Sequence, residues 1–257
     1  MREIKKFKVE LEILSPFRIG AKKLFSGIDQ PIVKIGGKIV VPGTTLKGAL
    51  RHQIEDYLIE KYSEREEMKP CIPSTKKGLS KDENRLIENG KYKGESCHYP
   101  CKNCEGPGNQ PIKHSICPAC YLLGAQGITG FISVPFLDIK SNTLQEEFTS
   151  IRIDRAKGTA AEGHLRTSEI LPAGAKFEGI LTVLIKDNIR GWELGKPRPL
   201  GESTLGDEWL KNSEWDKEKI INELIKERLE AIKVLGGFKS SGAGRVKISV
   251  TLLEQEE

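Results

Sequence analysis

The first apolar residues of the chain alternate with charged ones. Phe7, Val9, Leu11 and Ile13 are separated by Lys8, Glu10 and Glu12, and this period of two predicts a half-buried first strand. Pro31 to Val41 holds two short β-branched runs around Gly36-Gly37, a dipeptide that takes the positive φ angles of a tight hairpin turn. The period then changes. Leu46, Leu50, Ile54 and Leu58 recur at four-residue spacing, which predicts one stripe of a helix starting near Thr44 or Thr45, either of which can cap it.

From about Tyr62 to Cys120 neither period persists, and Lys, Glu, Gly, Pro and all six cysteines crowd together, so this stretch reads as an insertion. Strand-like composition resumes at Phe131 to Ile139 and again at Phe177 to Ile185, and the polar stretch between them, Asn142 to Ala175, predicts a protruding hairpin. Ile221, Leu224, Ile225, Leu229 and Ile232 mark a second amphipathic helix, which glycine stops at Gly236-Gly237. Val246, Ile248, Val250 and Leu252, alternating with Lys247, Ser249 and Thr251, give a last strand. Asp187 to Trp215 holds all three tryptophans (Trp192, Trp209 and Trp215) without a period and reads as a loop pinned by its aromatics. Strand, hairpin, helix, insertion, strands, helix, strand is an α+β order compatible with a ferredoxin-like split βαβ core in a single domain spanning residues 1–257.

Composition narrows the function only locally. The 41 Lys+Arg against 36 Asp+Glu leave a net charge of +5, so any surface for an acidic partner must come from clustering. The absence of a run of apolar residues long enough to span a bilayer, and a first segment that alternates unlike a signal peptide, point to a cytoplasmic protein with no membrane partner.

Cys101-Lys-Asn-Cys104 and Cys117-Pro-Ala-Cys120 are two CxxC knuckles separated by 12 residues, a spacing that lets four thiolates surround one Zn²⁺. Four protein ligands leave no open position for water, so the ion would be structural. Cys97, His98 and His114 lie close enough to replace one cysteine.

Two further segments suit phosphates. Leu235 to Arg245 (LGGFKSSGAGR) carries four glycines, the hydroxyls of Ser240 and Ser241, and the cations Lys239 and Arg245, a composition that approaches a phosphate backbone closely; a plain helix-to-strand connection is the alternative. It is not a P-loop, lacking the GxxxxGK[ST] order. Pro42 to Arg51 combines a helix start around Thr44 and Thr45, whose free N–H groups favour anions, with Lys47 and Arg51 four apart on one face; the alternative is a solvated basic face. Gly48 inside that helix costs ~1 kcal/mol relative to Ala, which implies that something needs close approach there.

Together, IDQPIV (28–33), VPGTTLKGALR (41–51), CPACYLLGAQG (117–127), IRIDRAKGTAAEGHLRTSEILPAGAKF (151–177) and LGGFKSSGAGRV (235–246) resemble the RAMP superfamily, and within it the Csm- and Cmr-type backbone subunits of type III CRISPR complexes. The resemblance implies an RRM-like core, with a zinc-binding subdomain at 62–120 and a β-hairpin thumb at 142–175 as insertions. It further implies a filament of copies along a CRISPR RNA, association with other type III subunits, and pairing with a complementary target RNA. Lys47 and Arg51 would line the guide groove with Thr44 and Thr45, the glycine-rich loop would hold the guide backbone through Lys239, Ser240, Ser241 and Arg245, and Arg152 and Arg155 would contact RNA from the thumb. Asp29 occupies the position of the family's target-cleaving aspartate, which implies an RNA-guided endoribonuclease dependent on Mg²⁺ or another divalent ion. A backbone subunit that binds RNA without cutting it, with Asp29 as a turn residue, stays open, and a precursor-processing RAMP endonuclease fits the motifs poorly.

Overall fold

The computed structural model describes residues 1–21, 28–98, 116–198, 207–211 and 214–253, without the side chains of Lys76 and of Glu162 to His164. Alternation along β1 (Arg2–Ile13) buries Phe7, Val9, Leu11 and Ile13 and leaves Lys8 and Glu10 on the other face, where Lys8 pairs with Glu178 at 3.2 Å. β1 lies between β8 (Lys176–Asp187) and β10 (Val246–Leu253), antiparallel to both. Beyond β8 come β5 (Leu137–Ile139), then the hairpin of β2 (Lys34–Ile35) and β3 (Lys38–Val41), giving the order β10-β1-β8-β5-β3-β2. The short strands β4 (Ile132–Ser133) and β9 (Trp192–Glu193) also pair with β8. The β2–β3 turn uses Gly36 and Gly37 at φ 55° and 79°, angles that only glycine takes without strain.

One face of this sheet carries the helices. α1 (Gly43–Tyr62) turns Leu46, Leu50, Ile54 and Leu58 onto it, all at or below 1% exposure, each worth roughly 1.5–3 kcal/mol of burial. The helix starts one residue before the threonines and no side chain caps it, so neither Thr44 nor Thr45 serves as the expected cap. Near the other end of the chain α4 (Lys217–Lys219) runs into a π-helical stretch, Ile220–Lys226, and on into α5 (Glu227–Glu230). Residues spaced by four, Ile221, Ile225 and Leu229, drift around an α-helix of 3.6 residues per turn. The wider π turn reduces that drift and keeps them buried together.

β6 (Glu146–Asp154) and β7 (Thr159–Ile170) form a separate two-stranded sheet that exposes Phe148, Ile151, Ile153 and Leu165. Its turn is held by Asp154, whose Oδ1 accepts the N–H groups of Ala156 and Lys157. The insertion after α1 contains α2 (Lys81–Glu88), closed by a Ser80–Glu83 capping box, and reaches α3 (Pro118–Leu123), buried at every position. Among the described residues no helix is long and apolar enough to cross a membrane.

The aperiodic region after β8 is organised around one ion pair and its aromatic walls. Trp209 and Trp215 are buried with ring centroids 5.9 Å apart, and Tyr121 of α3 meets Trp209 edge-on at 5.2 Å. Arg198 lies over Tyr121 and Phe131 at 4.7 and 5.1 Å and faces Asp207 at 3.7 Å, with both side chains fully enclosed. Burial pushes the Asp207 carboxyl up to about 6 against the opposing pull of Arg198, so the pair is fully ionised only above that pH. Asp207→Ala strands the Arg198 charge and should cost about 3–5 kcal/mol in denaturant unfolding, whereas R198M/D207L, which removes both charges, should cost clearly less. Equal losses in the two proteins would show that the residues do not act as a pair.

Candidate nucleic-acid groove and thiol cluster

The two phosphate-friendly segments come together in space. A groove of about 380 Å³ is lined on one side by Thr44, Thr45, Gly48, Ala49 and His52 of α1, and on the other by Ile19, Gly20, Leu235, Gly236, Gly237 and Lys239. Gly48 is exposed and, among the described residues, a Cβ on it meets nothing within 4 Å, so none of their atoms accounts for the glycine. Gly236, at φ 87°, has no such freedom, because a Cβ there would lie 2.4 Å from the Arg18 carbonyl oxygen. It fixes the loop against the chain following β1, and the Gly237 N–H donates to the same carbonyl. The loop then makes a single 3₁₀ turn, Lys239–Ser241, with all three side chains exposed, and Arg245 is exposed just before β10.

Phe238, which precedes that turn, is the one described residue other than glycine with positive φ, at 58°. An aromatic residue in the left-handed region is strained, and such strain persists where the surroundings impose it. The ring stays 37% exposed, with Arg18 over it at 5.5 Å and Phe148 of β6 at 6.5 Å. Phe148 thereby links the hairpin to the groove. Its register partner on β7 is Ser168, whose hydroxyl donates to Gln30 Oε1 at 3.1 Å.

Asp29 sits at this hairpin base. Its N–H donates to the Thr167 carbonyl, and its Oδ2 accepts the Thr167 N–H at 3.2 Å, beside an isolated parallel bridge between Gln30 and Ser168 of β7. The neighbouring acid, Glu169, is buried and committed, accepting the Ile32 N–H at 2.9 Å and pairing with Lys34 at 3.1 Å. Arg152 on β6 and Arg155 in its turn are exposed on the hairpin.

The sulfurs of Cys71, Cys97, Cys117 and Cys120 all lie within 4.8 Å of one another. Cys71 is 3.3 Å from Cys120 and 3.7 Å from Cys117, and Cys97 is 3.8 Å from Cys117. These separations exclude disulfides and approach the ~3.8 Å edge of a tetrahedron with ~2.3 Å metal–sulfur bonds. Hydrogen bonding with Cys117 and Cys120 holds the Cys97 thiol well below its ordinary range, and that with Cys117 holds Cys71 and Cys120 above it. Thiols in mutual contact cannot all ionise without a cation among them, and the donor set fits a closed tetrahedral ion. Cys117 and Cys120 are thus the expected ligands that the fold brings together, with Cys97 beside them. Cys101, Cys104 and His114 lie outside the described residues. Cys71, between Ile72 and Pro70, was missed because it belongs to no CxxC pair; its only signal is a proline on either side, at 70 and 73.

Arg51 departs from its expected place. It does not line the groove: its side chain is 13% exposed, bonded to Glu55 at 2.6 Å and to the carbonyl and sulfur of Cys71 at 3.1 and 3.3 Å. Four residues on from Lys47 it turns toward the insertion, because the thiols and Glu55 offer it partners that solvent on the open face does not. Lys47 is exposed on the helix and Lys239 in the groove wall. A second cavity, about 320 Å³ on the open sheet face, is lined by Glu10, Glu12 and Glu178 as much as by Lys140, Lys176 and Lys247, a mixture ill suited to phosphates.

Two outcomes are expected. Cys71→Ser should lower bound metal well below one equivalent by elemental analysis and destabilise the protein, whereas Cys101→Ser should leave the metal in place. Gly48→Ala should stabilise the protein by about 1 kcal/mol in thermal unfolding, since alanine is the better helix former and its Cβ meets none of the described residues.

The chain is 26% identical over 210 residues to a protein of Methanocaldococcus jannaschii named "CRISPR system Cms endoribonuclease Csm3", an alignment covering 75% of this chain and 71% of the relative. The family model described as the RAMP superfamily matches residues 10–247, nearly the whole described fold from the first strand to the last, and the chain belongs to that superfamily.

Proposed function

We propose that this chain is a guide-RNA-binding backbone subunit of a type III CRISPR effector complex, acting with other subunits and repeated along the guide. The observation that carries the reading is the groove, where an uncapped helix start, an unexplained helix glycine and the glycine-rich loop with Lys239 face one another. Such a groove takes a phosphate backbone by main-chain N–H groups and cations and is indifferent to sequence, which suits a guide whose pairing supplies specificity. The order β10-β1-β8-β5, with α1 crossing after the first strand and α4–α5 after the third, supports a ferredoxin-like core. In this reading the β6–β7 hairpin is the thumb, Arg152 and Arg155 are its RNA contacts, and Phe238 offers a ring on which a base stacks. The thiol cluster holds Zn²⁺ as a structural ion in the insertion.

Asp29 is the proposed cutting residue. It stands beside the hairpin base, where a flipped target nucleotide would lie, and one of its oxygens is oriented by the Thr167 N–H. Among the described residues no group of three or more metal-ligating side chains includes it. A Mg²⁺ ion there would draw its remaining ligands from RNA phosphates and water. The same hydrogen bond favours the second reading, in which Asp29 only fastens the loop to β7 and the subunit binds without cutting.

With the reconstituted complex and a complementary RNA, Asp29→Ala should abolish Mg²⁺-dependent cleavage while target binding holds; unchanged cutting would leave the binding-only reading. Affinity should fall steeply with salt, and Lys239→Ala should lower the log–log slope by about 1, as the loss of a single phosphate contact does. A slope near zero in the wild type would remove the groove from the account.

A further inference from the structure

Arg51 lies on the same helix as the groove but serves the other side of it. Its guanidinium is enclosed, with Nε on Glu55 at 2.6 Å, Nη2 on the Cys71 carbonyl at 3.1 Å and its sulfur at 3.3 Å, and both terminal nitrogens 3.6 Å from the Cys120 sulfur. We infer that Arg51 is a positioning residue for the metal cluster, orienting two of its sulfurs and offsetting their charge. The inference rests on reading the four thiols as a metal site.

The reason is electrostatic. Four thiolates around a divalent ion carry two excess negative charges, and burying them requires cations and N–H donors close by. Among the described residues Lys93 and Arg51 are cations facing the sulfurs, and the Cys97 N–H donates to Cys71 at 3.4 Å. A planar fork of five donors can reach a carboxylate, a carbonyl and two sulfurs at once; a lysine ammonium cannot hold that spread. Glu55, itself buried, fixes the plane of the fork. Arg51 is not part of the groove wall, which Thr44, Thr45, Gly48, Ala49 and His52 form on the same helix.

The test is competition between the full-length protein and a chelator of known affinity, with Co²⁺ as probe and its thiolate absorption band as a second readout, in the wild type, R51K, R51M and R51M/E55Q. The double variant removes both buried charges and guards against simple misfolding. R51M and R51M/E55Q should bind Co²⁺ about 10–100-fold more weakly with an altered band, and R51K should recover part of the loss. A double variant with wild-type affinity and spectrum overturns the inference. So does R51M/E55Q that keeps its metal but loses RNA affinity tenfold, because Arg51 would then contact RNA. Failure of the wild type to bind Co²⁺ through its thiols would instead bring down the metal site itself, and the inference with it.

Discussion

Between α1 and α3 the chain has few apolar side chains of its own, and besides Met68 and Ile116 in the core, the contact of four sulfurs with one another and with Arg51 holds this stretch to the rest. Cys71 comes soon after α1, Cys97 follows α2, and Cys117 and Cys120 open α3, so a single cluster draws three points of a polar insertion onto the side of one helix. A segment that cannot bury enough hydrocarbon to offset its chain entropy needs such a staple. Because α3 also supplies Tyr121 to the Arg198–Asp207 pair, the cluster and the tryptophan-walled loop are two ends of one packed layer.

That layer frees the opposite side of α1 for function. Its apolar stripe faces the sheet, Arg51 and Glu55 face the sulfurs, and Thr44, Thr45, Gly48 and His52 are left to the groove. The groove continues by contact to the hairpin, from Phe238 to Phe148, across the register to Ser168, and through Thr167 to Asp29. An RNA lying between α1 and the glycine-rich loop would pass the hairpin base, the position from which a carboxylate could act on a paired strand.

Much of the scaffold was legible from periodicity. The alternation of β1, that of β10 as far as Val250 (Leu252, expected inward, is exposed beyond it), the Gly36-Gly37 turn and the stripe of α1 each follow from a short-range pattern that burial decides. The functional side chains were harder to read for the opposite reason. Arg51 and Lys47 are both cations four residues apart, and long-range packing makes one a buried thiol partner and leaves the other exposed. Cys71 pairs across 26 and 49 residues with Cys97 and Cys120, a relation no local spacing encodes. Phe238 gains its distinction from a backbone angle, and the Asp187 to Trp215 loop from aromatic contacts with α3, neither of which leaves a period in the sequence.

The central claim is that RNA runs between the start of α1 and the glycine-rich loop. Photocrosslinking of an RNA carrying a photoreactive nucleoside, followed by peptide mass spectrometry, tests it most directly. Adducts are expected within residues 44–52 and 236–241, with Phe238 among the modified positions. Adducts confined to the open sheet face, at Lys140, Lys176 or Lys247, would contradict it.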